Sequence, residues 1–188
     1  MIEYLLTFDS WLFLWLNAFH SPFWDGVMFA LSRSDIWLPL YCVLVILIFL
    51  KYRHKTLRTL ILICLVIVSA DSFTSRVLKP YCKRLRPSHE PSLKGKVHIV
   101  YDYKGGLYGM ASSHAANTFG LAMAMYLLFP KQRRYRWLFL WASVVSYSRI
   151  YLGVHYPLDI LVGAGVGTSF AWLWVKLFQK AGFKVEHS

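Results

Sequence analysis

Residues 157–178 read PLDILVGAGVGTSFAWLWVKLF, and this stretch of 22 residues decides the fold of the chain. It contains one acidic and one basic residue, and all other positions are apolar or small. As an α-helix it measures roughly 33 Å, which is long enough to cross the hydrocarbon core of a bilayer. Because backbone polar groups inside a bilayer must be paired internally, the stretch is predicted to be a transmembrane helix.

Four further apolar stretches precede it, at 36–50, 58–78, 112–129 and 137–153. Of the 188 residues, 57% are hydrophobic and only 16% are charged, whereas soluble domains carry about a quarter charged residues. No segment resembles a linker or an internal repeat. The sequence therefore predicts an all-α, polytopic transmembrane helix bundle that forms one membrane-embedded domain over residues 1–188.

Residues 1–35 allow two interpretations. Residues 4–19 are mostly apolar, but Asp9 and Asn17 interrupt them, and the tripeptide at 20–22, HSP, ends the pattern. This region is either a first span followed by an interfacial helix or a hairpin at the membrane surface. The bundle is therefore expected to have five or six spans.

The net charge of +12 is concentrated in short segments between the apolar stretches. Short basic loops are typical of the cytoplasmic side of membrane proteins. The loop 79–111 and the turn 153–157 then lie on the extracytoplasmic face. Nucleic acid is not an expected partner, because a soluble basic face is missing. The basic clusters are Lys51, Arg53, Lys55 and Arg58; Lys131, Arg133, Arg134 and Arg136; and Lys176, Lys180 and Lys184.

Three short motifs fall on the extracytoplasmic face, and three spaced motifs are far more specific than one. The first is Lys79 followed after six residues by Arg86-Pro87; the second is Ala111-Ser112-Ser113-His114; the third is Ser148-Arg149, then His155 after five residues and Asp159 after three more.

The third motif places His155 just before a helix, because Gly153 ends one apolar stretch and Pro157 opens the next. Asp159 follows His155 by four residues, so its carboxylate can hold one imidazole nitrogen protonated. The other nitrogen is then free to attack phosphorus. A His–Asp pair that only stabilises the turn is the alternative interpretation.

The other two motifs predict an anion site at the same face. Ser112 is a predicted N-cap and His114 lies in the first turn of the helix that follows, where free N–H groups favour a bound anion. Lys79, Arg86 and Arg149 supply three cations, and phosphoryl transfer depends mainly on positioning and charge stabilisation. For Lys79 and Arg86, a location at the lipid–water interface without a role in binding is the alternative.

This three-part signature resembles that of the PAP2 (type 2 phosphatidic acid phosphatase) superfamily, in its integral membrane branch, over residues 79–159. The resemblance implies that His155 forms a phosphohistidine intermediate, that Asp159 orients this histidine, and that His114 is the general acid and base. Because three cations and two helix N-termini can balance a phosphate, no metal or other cofactor is expected. The residues expected to bind phosphate are Lys79, Arg86, Ser112, Ser113 and Arg149.

The second motif departs from the family's usual Pro-Ser-Gly-His at two positions. Ala111 replaces the proline, a change of little expected consequence. Ser113 replaces the glycine, which matters more if the backbone there approaches the phosphate closely or needs a positive φ. Because the N–H of Ser113 is retained, we expect function to be retained as well.

The resemblance implies a lipid phosphatase that hydrolyses a phosphomonoester or diphosphate at the periplasmic or extracellular face of the cell (inner) membrane. Among the substrates of compact family members, undecaprenyl diphosphate is expected first, and lipid A or phosphatidylglycerol phosphate are the alternatives. A lipid phosphotransferase that uses the same histidine, and a non-catalytic transport or lipid-binding bundle, also stay open. The oligomeric state does not follow from the sequence.

Two features lie outside the motifs. Asp71 falls inside an apolar stretch and predicts a polar contact within the bundle, with Arg76 or a serine of a neighbouring helix as its partner. Residues 101–106, YDYKGG, predict a flexible turn over the site that can contribute to headgroup selection.

Overall fold

The computed structural model describes residues 2–183, and no regular β-strand occurs within that range. Lys184, one of the basic residues named above, lies outside the described residues. The all-α prediction is confirmed, and each of the five apolar stretches contains a helix. The helices are α1 (Ile2–Asn17), α2 (Pro22–Leu31), α3 (Leu38–Tyr52), α4 (Thr56–Ser72), α5 (Lys79–Cys82), α6 (Ser113–Leu128), α7 (Trp137–Tyr151) and α8 (Pro157–Lys180).

Helices α6 and α8 approach each other most closely, because small residues line their contact. A Cβ atom at Gly163 would overlap the carbonyl of Ser112, and one at Gly167 would overlap the carbonyl of Ala116. Such small-residue contacts let the backbones of membrane helices approach. They also allow the N–H of Ser112 to donate to the carbonyl of Asp159 at 3.0 Å, which joins two of the sequence motifs.

The helix α1 packs on the bundle through the polar residues that interrupt its apolar pattern. Asp9, Phe13 and Asn17 are buried and recur every four residues, so they form one stripe. The side-chain amide of Asn17 donates to the carbonyl of Tyr151 at 2.8 Å, and its oxygen accepts from the N–H of His98 at 2.8 Å. The opposite face is exposed and apolar, and it includes Tyr4, Leu5, Phe8, Trp11 and Trp15.

Two continuous helical stretches, Asp35–Cys82 and Pro157–Lys180, are long and apolar enough to cross a membrane by length and composition. The first contains α3, the short 3₁₀ turn Arg53–Lys55, α4, and a π-helical segment at Phe73–Leu78 that leads into α5. The helix α2 has no buried residue. The count of five or six spans stays a prediction.

One end of the bundle is closed by aromatic rings. Tyr52, Phe129, Tyr135 and Phe183 are all buried, and we call these four residues the aromatic cluster. The ring centroids of Phe129 and Tyr135 are 4.4 Å apart, and the ring of Tyr52 lies 5.7 Å from that of Phe129. The hydroxyl of Tyr52 also donates to the carbonyl of Leu128 at 2.5 Å. The cluster joins the ends of α3 and α6 to the end of α8.

Candidate active site

The eight predicted site residues lie at the end of the bundle opposite the aromatic cluster. This end is formed by α5, the loop after it, the start of α6, the end of α7 and the start of α8. The residues are Lys79, Arg86, Ser112, Ser113, His114, Arg149, His155 and Asp159.

His155 and Asp159 form a buried pair at the start of α8. The Nδ1 atom of His155 lies 3.3 Å from Oδ2 of Asp159, and the two residues are 1% and 0% exposed. The same Oδ2 accepts from the backbone N–H of Tyr156 at 3.0 Å, which caps α8. The four-residue spacing therefore produces the predicted contact, and the other ring nitrogen, Nε2, is not used by Asp159.

Burial lowers the pKa of His155 well below its usual range, and the positive charges of Arg86, Arg149 and Lys79 lower it further. A group whose pKa is lowered in this way keeps its neutral form at and below neutral pH. The imidazole therefore keeps a lone pair, which a nucleophile needs.

Ser112 and Ser113 begin α6, as the sequence predicted. The hydroxyl of Ser112 accepts from the N–H of Ala115 at 3.4 Å, so Ser112 is the N-cap. Ser113 replaces the family glycine in a helical conformation, so no positive φ is needed there. Its hydroxyl lies 3.0 Å from Nζ of Lys79 and 2.9 Å from the hydroxyl of Thr74.

The π-helical segment that carries Thr74 also brings Ser75 to the same hydroxyl, at 3.1 Å from Oγ of Ser113. A π-helical turn shifts the side-chain positions of a helix, and such turns recur at functional sites. Here it presents two hydroxyls and, through α5, the ammonium of Lys79 to the start of α6. The replacement of glycine by Ser113 is thereby accommodated without strain.

Arg86 is held beneath a loop that folds back over it. The N–H of Arg86 donates to the carbonyl of Leu107 at 3.0 Å, and its Nε donates to the carbonyl of Tyr108 at 3.1 Å. Gly105 lies directly against the guanidinium, where a Cβ atom would collide with Nη1. The glycine predicted to belong to a flexible turn therefore makes room for a buried arginine.

Arg149 lies at the end of α7 and is only 2% exposed. Its Nη1 donates to the hydroxyl of Ser32 at 2.9 Å, and its Nη2 donates to the hydroxyl of Tyr103 at 3.1 Å. Tyr103 belongs to the YDYKGG turn, so this turn does cover the site. Ser32 comes from the C-terminal end of α2, which the sequence did not connect with the site.

Two guanidinium nitrogens in this region are buried and have no hydrogen-bond partner among the described residues. They are Nη1 of Arg86 and Nε of Arg149. Buried donors are paired in the great majority of cases, so each unpaired one needs an explanation. Two unpaired cationic donors at one end of the bundle fit an anion that binds between them.

His114 lies in the first turn of α6, where it lines a cavity. The first turn of α6 lies beside the His155–Asp159 pair, because the N–H of Ser112 donates to the carbonyl of Asp159 at 3.0 Å. The structure thus brings together all the residues that the sequence selected.

Arg84 and Asp9 were missed by the sequence interpretation. Nη1 of Arg84 donates to Oδ1 of Asp159 at 3.1 Å, and its Nη2 donates to Oδ2 of Asp9 at 2.6 Å. The guanidinium also lies 3.9 Å above the ring of Tyr156. Asp9 in turn accepts from the N–H of Leu158 at 2.9 Å. The signals were the acid inside the apolar N-terminal stretch and the two cations, Lys83 and Arg84, within the spacer of the first motif.

The prediction for the partner of Asp71 was wrong. Its Oδ1 accepts from the side-chain amide of Asn117 at 3.3 Å, and neither Arg76 nor a serine is that partner. Arg76 is exposed on the π-helical segment, whereas Asp71 lies on the face of α4 that packs on α6. The direction of the side chain around the helix, which the apolar pattern alone did not reveal, decides the partner.

Within residues 2–183, no group of three or more His, Cys, Asp or Glu side chains is arranged to hold a metal ion. That the site works without a metal stays a prediction. The prediction rests on the positive charges of Lys79, Arg86 and Arg149.

The chain resembles proteins of known activity along most of its length. It is 40% identical over 182 residues to a lipid A 4′-phosphatase from Bacteroides thetaiotaomicron, covering 96% of this chain and 81% of that protein. It is 37% identical to a lipid A 4′-phosphatase from Porphyromonas gingivalis, with 88% and 71% covered. An undecaprenyl-diphosphatase from Sulfolobus acidocaldarius is 27% identical, with 93% and 81% covered.

The fold also matches a solved structure of a transmembrane PAP2-type phosphatidylglycerolphosphate phosphatase from Bacillus subtilis. The TM-score is 0.68 at 21% identity, covering 94% of this chain and 87% of that one, which supports the fold alone. A family model described as the PAP2 superfamily matches residues 59–183, a range that includes all three motifs. The chain therefore belongs to the PAP2 superfamily and is a membrane lipid phosphatase.

Proposed function

We propose that this chain removes the 4′-phosphate of lipid A at the periplasmic face of the inner membrane. Two lipid A 4′-phosphatases, at 40% and 37% identity, support this substrate. Undecaprenyl diphosphate, which we expected first on sequence grounds, has support only from a relative at 27% identity. The periplasmic location rests on the basic loops at the opposite end of the bundle.

One observation supports the reaction class. His155 and Asp159 form a buried pair at the end of the bundle that also contains Lys79, Arg86 and Arg149. In the first step, Nε2 of His155 attacks the phosphorus while Nδ1–H stays hydrogen-bonded to Asp159. The N–P bond forms as the bond between phosphorus and the 4′-oxygen of the sugar breaks. His114 donates a proton to this leaving oxygen, so the dephosphorylated lipid leaves as an alcohol.

In the second step, water attacks the phosphohistidine. His114, now neutral, accepts a proton from that water, and the P–N bond breaks to release inorganic phosphate and neutral His155. The same histidine thus acts first as acid and then as base, and the enzyme returns to its starting protonation state.

Lys79, Arg86 and Arg149 bind the phosphoryl oxygens in this mechanism, together with N–H groups at the start of α6. The unpaired Nη1 of Arg86 and Nε of Arg149 support this assignment, because each is a buried donor without another acceptor in the described chain. Charge that is fixed in place before the reaction stabilises the transition state most effectively. Ser112 contributes as the N-cap, and Ser113 contributes its N–H group and its contact with Lys79.

The test is phosphate release by the purified protein in detergent from lipid A 1,4′-bisphosphate, undecaprenyl diphosphate, phosphatidylglycerol phosphate and phosphatidic acid. We expect the highest kcat/KM for lipid A, and mass spectrometry should find the product without its 4′-phosphate. Higher kcat/KM on undecaprenyl diphosphate would overturn the substrate, and a phosphorylated acceptor lipid in place of free phosphate would indicate a phosphotransferase.

A further inference from the structure

A cavity of about 450 Å³ opens next to His114 between α3, α4, α6 and α7. Its polar end contains Ser113 and His114, and its walls further along the bundle are apolar. Its apolar lining suits the apolar part of a lipid whose phosphate lies at the neighbouring site. Its apolar walls include Leu44, Ile48, Leu60, Ile63 and Leu121.

Asp71 and Asn117 are charged or polar exceptions on these walls. Asn117 follows His114 by three residues, so it lies on the same face of α6, about 4.5 Å further along the axis. Asp71 continues the face of α4 that carries Ile63 and Ile67. The two side chains meet across the cavity wall, one helical turn from the candidate general acid.

The pair offers hydrogen-bond acceptors that its own contact does not use. The amide nitrogen of Asn117 donates to Oδ1 of Asp71 at 3.3 Å. The amide oxygen of Asn117 is buried and has no partner among the described residues. A carboxylate can accept about four hydrogen bonds. An acidic residue inside a membrane bundle is energetically costly, and such residues usually mark a functional site.

We propose that Asp71 and Asn117 bind a hydrogen-bond donor of the substrate, a hydroxyl or an amide N–H close to the carbon that carries the phosphate. The pair thereby selects a phosphorylated, acylated amino sugar over a polyprenyl diphosphate. This inference rests on the proposed function and adds a specificity determinant to it.

The chemistry of the two substrates supports the selection. An acylated amino sugar carries hydroxyl and amide N–H groups on the ring that bears the phosphate. The hydrocarbon chain of a polyprenyl diphosphate carries no O–H or N–H donor next to its diphosphate. A site that contains buried acceptors discriminates strongly against a ligand without the matching donor, because the acceptors are then left unpaired.

The competing explanation is a structural contact that only ties α4 to α6. In that case the loss of the pair would reduce the stability of the bundle and the turnover of every substrate together. The two explanations therefore differ in the ratio of kcat/KM for lipid A to kcat/KM for undecaprenyl diphosphate.

The experiment measures this ratio for the wild type, Asn117→Leu and Asp71→Asn in detergent. Asn117→Leu removes the unpaired acceptor, whereas Asp71→Asn preserves the size of the side chain and so protects against a folding failure. Thr118→Val is the matched control, because Thr118 lines the same cavity but its hydroxyl donates to the carbonyl of His114 at 2.8 Å.

We expect the ratio to fall roughly tenfold in Asn117→Leu and severalfold in Asp71→Asn, and to change less than twofold in Thr118→Val. An unchanged ratio in both test variants, whether turnover falls or not, would overturn the role of the pair. That result leaves the proposed function standing if the wild type still prefers lipid A. A wild type without activity on lipid A would instead refute the proposed function.

Discussion

The two ends of the bundle are built on different principles. At the aromatic cluster, the buried side chains are uncharged rings that pack on one another. The hydroxyl of Tyr52 is paired with a backbone carbonyl, and that of Tyr135 has no partner among the described residues. At the site, the buried groups are charged, and nitrogens of Arg86 and Arg149 have no partner among the described residues. Apolar packing stabilises a fold, whereas unpaired buried charge destabilises it unless a ligand completes it.

This difference indicates that the aromatic cluster mainly determines the stability of the fold and that the site mainly determines its activity. Substitutions at the aromatic cluster should reduce stability with little change in the chemistry of the folded enzyme. Substitution of Arg86 or Arg149, whose buried nitrogens lack a partner among the described residues, should reduce activity with little change in stability, or even with a gain. The following experiments test that separation, starting with the largest expected effect.

The variant His155→Ala should reduce kcat by at least about 10⁴-fold, because removal of the nucleophile leaves only binding and electrostatic stabilisation. Its unfolding temperature in detergent should match that of the wild type. Phosphate release from lipid A measures the first quantity, and fluorescence-monitored thermal unfolding measures the second. Turnover close to that of the wild type would refute the assignment of the nucleophile.

Replacement of Arg149 by Met should reduce kcat/KM roughly 10²- to 10³-fold, since one buried charged donor to the phosphoryl group is lost. Arg149→Lys should recover only part of this loss, because a lysine cannot reproduce the guanidinium contacts. Arg133→Met is the matched control, since Arg133 is exposed in the loop at the other end of the bundle. Equal losses of kcat/KM in Arg149→Met and Arg133→Met would contradict the view that the activity depends on the cations at the site end of the bundle.

The network of Arg84 predicts an intermediate effect. Arg84→Met leaves Asp159 without its ion-pair partner, so we expect kcat to fall roughly 10- to 100-fold while KM changes little. Arg84→Lys should recover part of kcat, because one cation then still faces the carboxylates of Asp159 and Asp9. A change in KM alone would show that Arg84 binds substrate and does not position the histidine pair.

At the aromatic cluster, Phe129→Ala should lower the free energy of unfolding by about 3–5 kcal/mol, the usual cost of truncating a buried Phe. The kcat of the folded protein on lipid A should stay within about twofold of the wild type. Thermal unfolding and phosphate release, measured on the same preparation, compare the two quantities. A large loss of kcat with unchanged stability would contradict the separation of roles.

The smallest expected effect is that of metal removal. Incubation with EDTA followed by gel filtration should leave phosphate release unchanged, because Lys79, Arg86 and Arg149 supply the positive charge that phosphoryl transfer requires. Loss of activity in EDTA that Mg²⁺ or Zn²⁺ restores would refute a metal-independent mechanism.

The sequence predicted the helices, and it predicted that the motif residues lie at one end of the bundle, for an identifiable reason. Each apolar stretch must form a helix in a membrane, so the order of the stretches already places the three motifs at one end. The contact between His155 and Asp159 is local, since only four residues separate them. Local spacing and topology were therefore sufficient for the main features of the site.

What the sequence did not predict depends on contacts between distant parts of the chain. The partner of Arg84 on α1, Asp9, is separated from it by 75 residues, and Asn117 lies 46 residues after Asp71. Such partners follow from the rotation of each helix about its axis, which a uniformly apolar pattern leaves undetermined. The available signal was a polar residue inside an apolar stretch, such as Asp9 or Asp71. This signal identified the residue that makes a buried polar contact, but it did not identify the partner.

The most direct test of the mechanism is to trap the phosphorylated enzyme. Rapid quenching of the wild type and of His114→Gln with ³²P-labelled lipid A, followed by peptide mapping, would locate the phosphate. We expect an acid-labile, alkali-stable phosphohistidine, with the label at His155 in both proteins. Label at His114 or at any other residue would contradict His155 as the nucleophile.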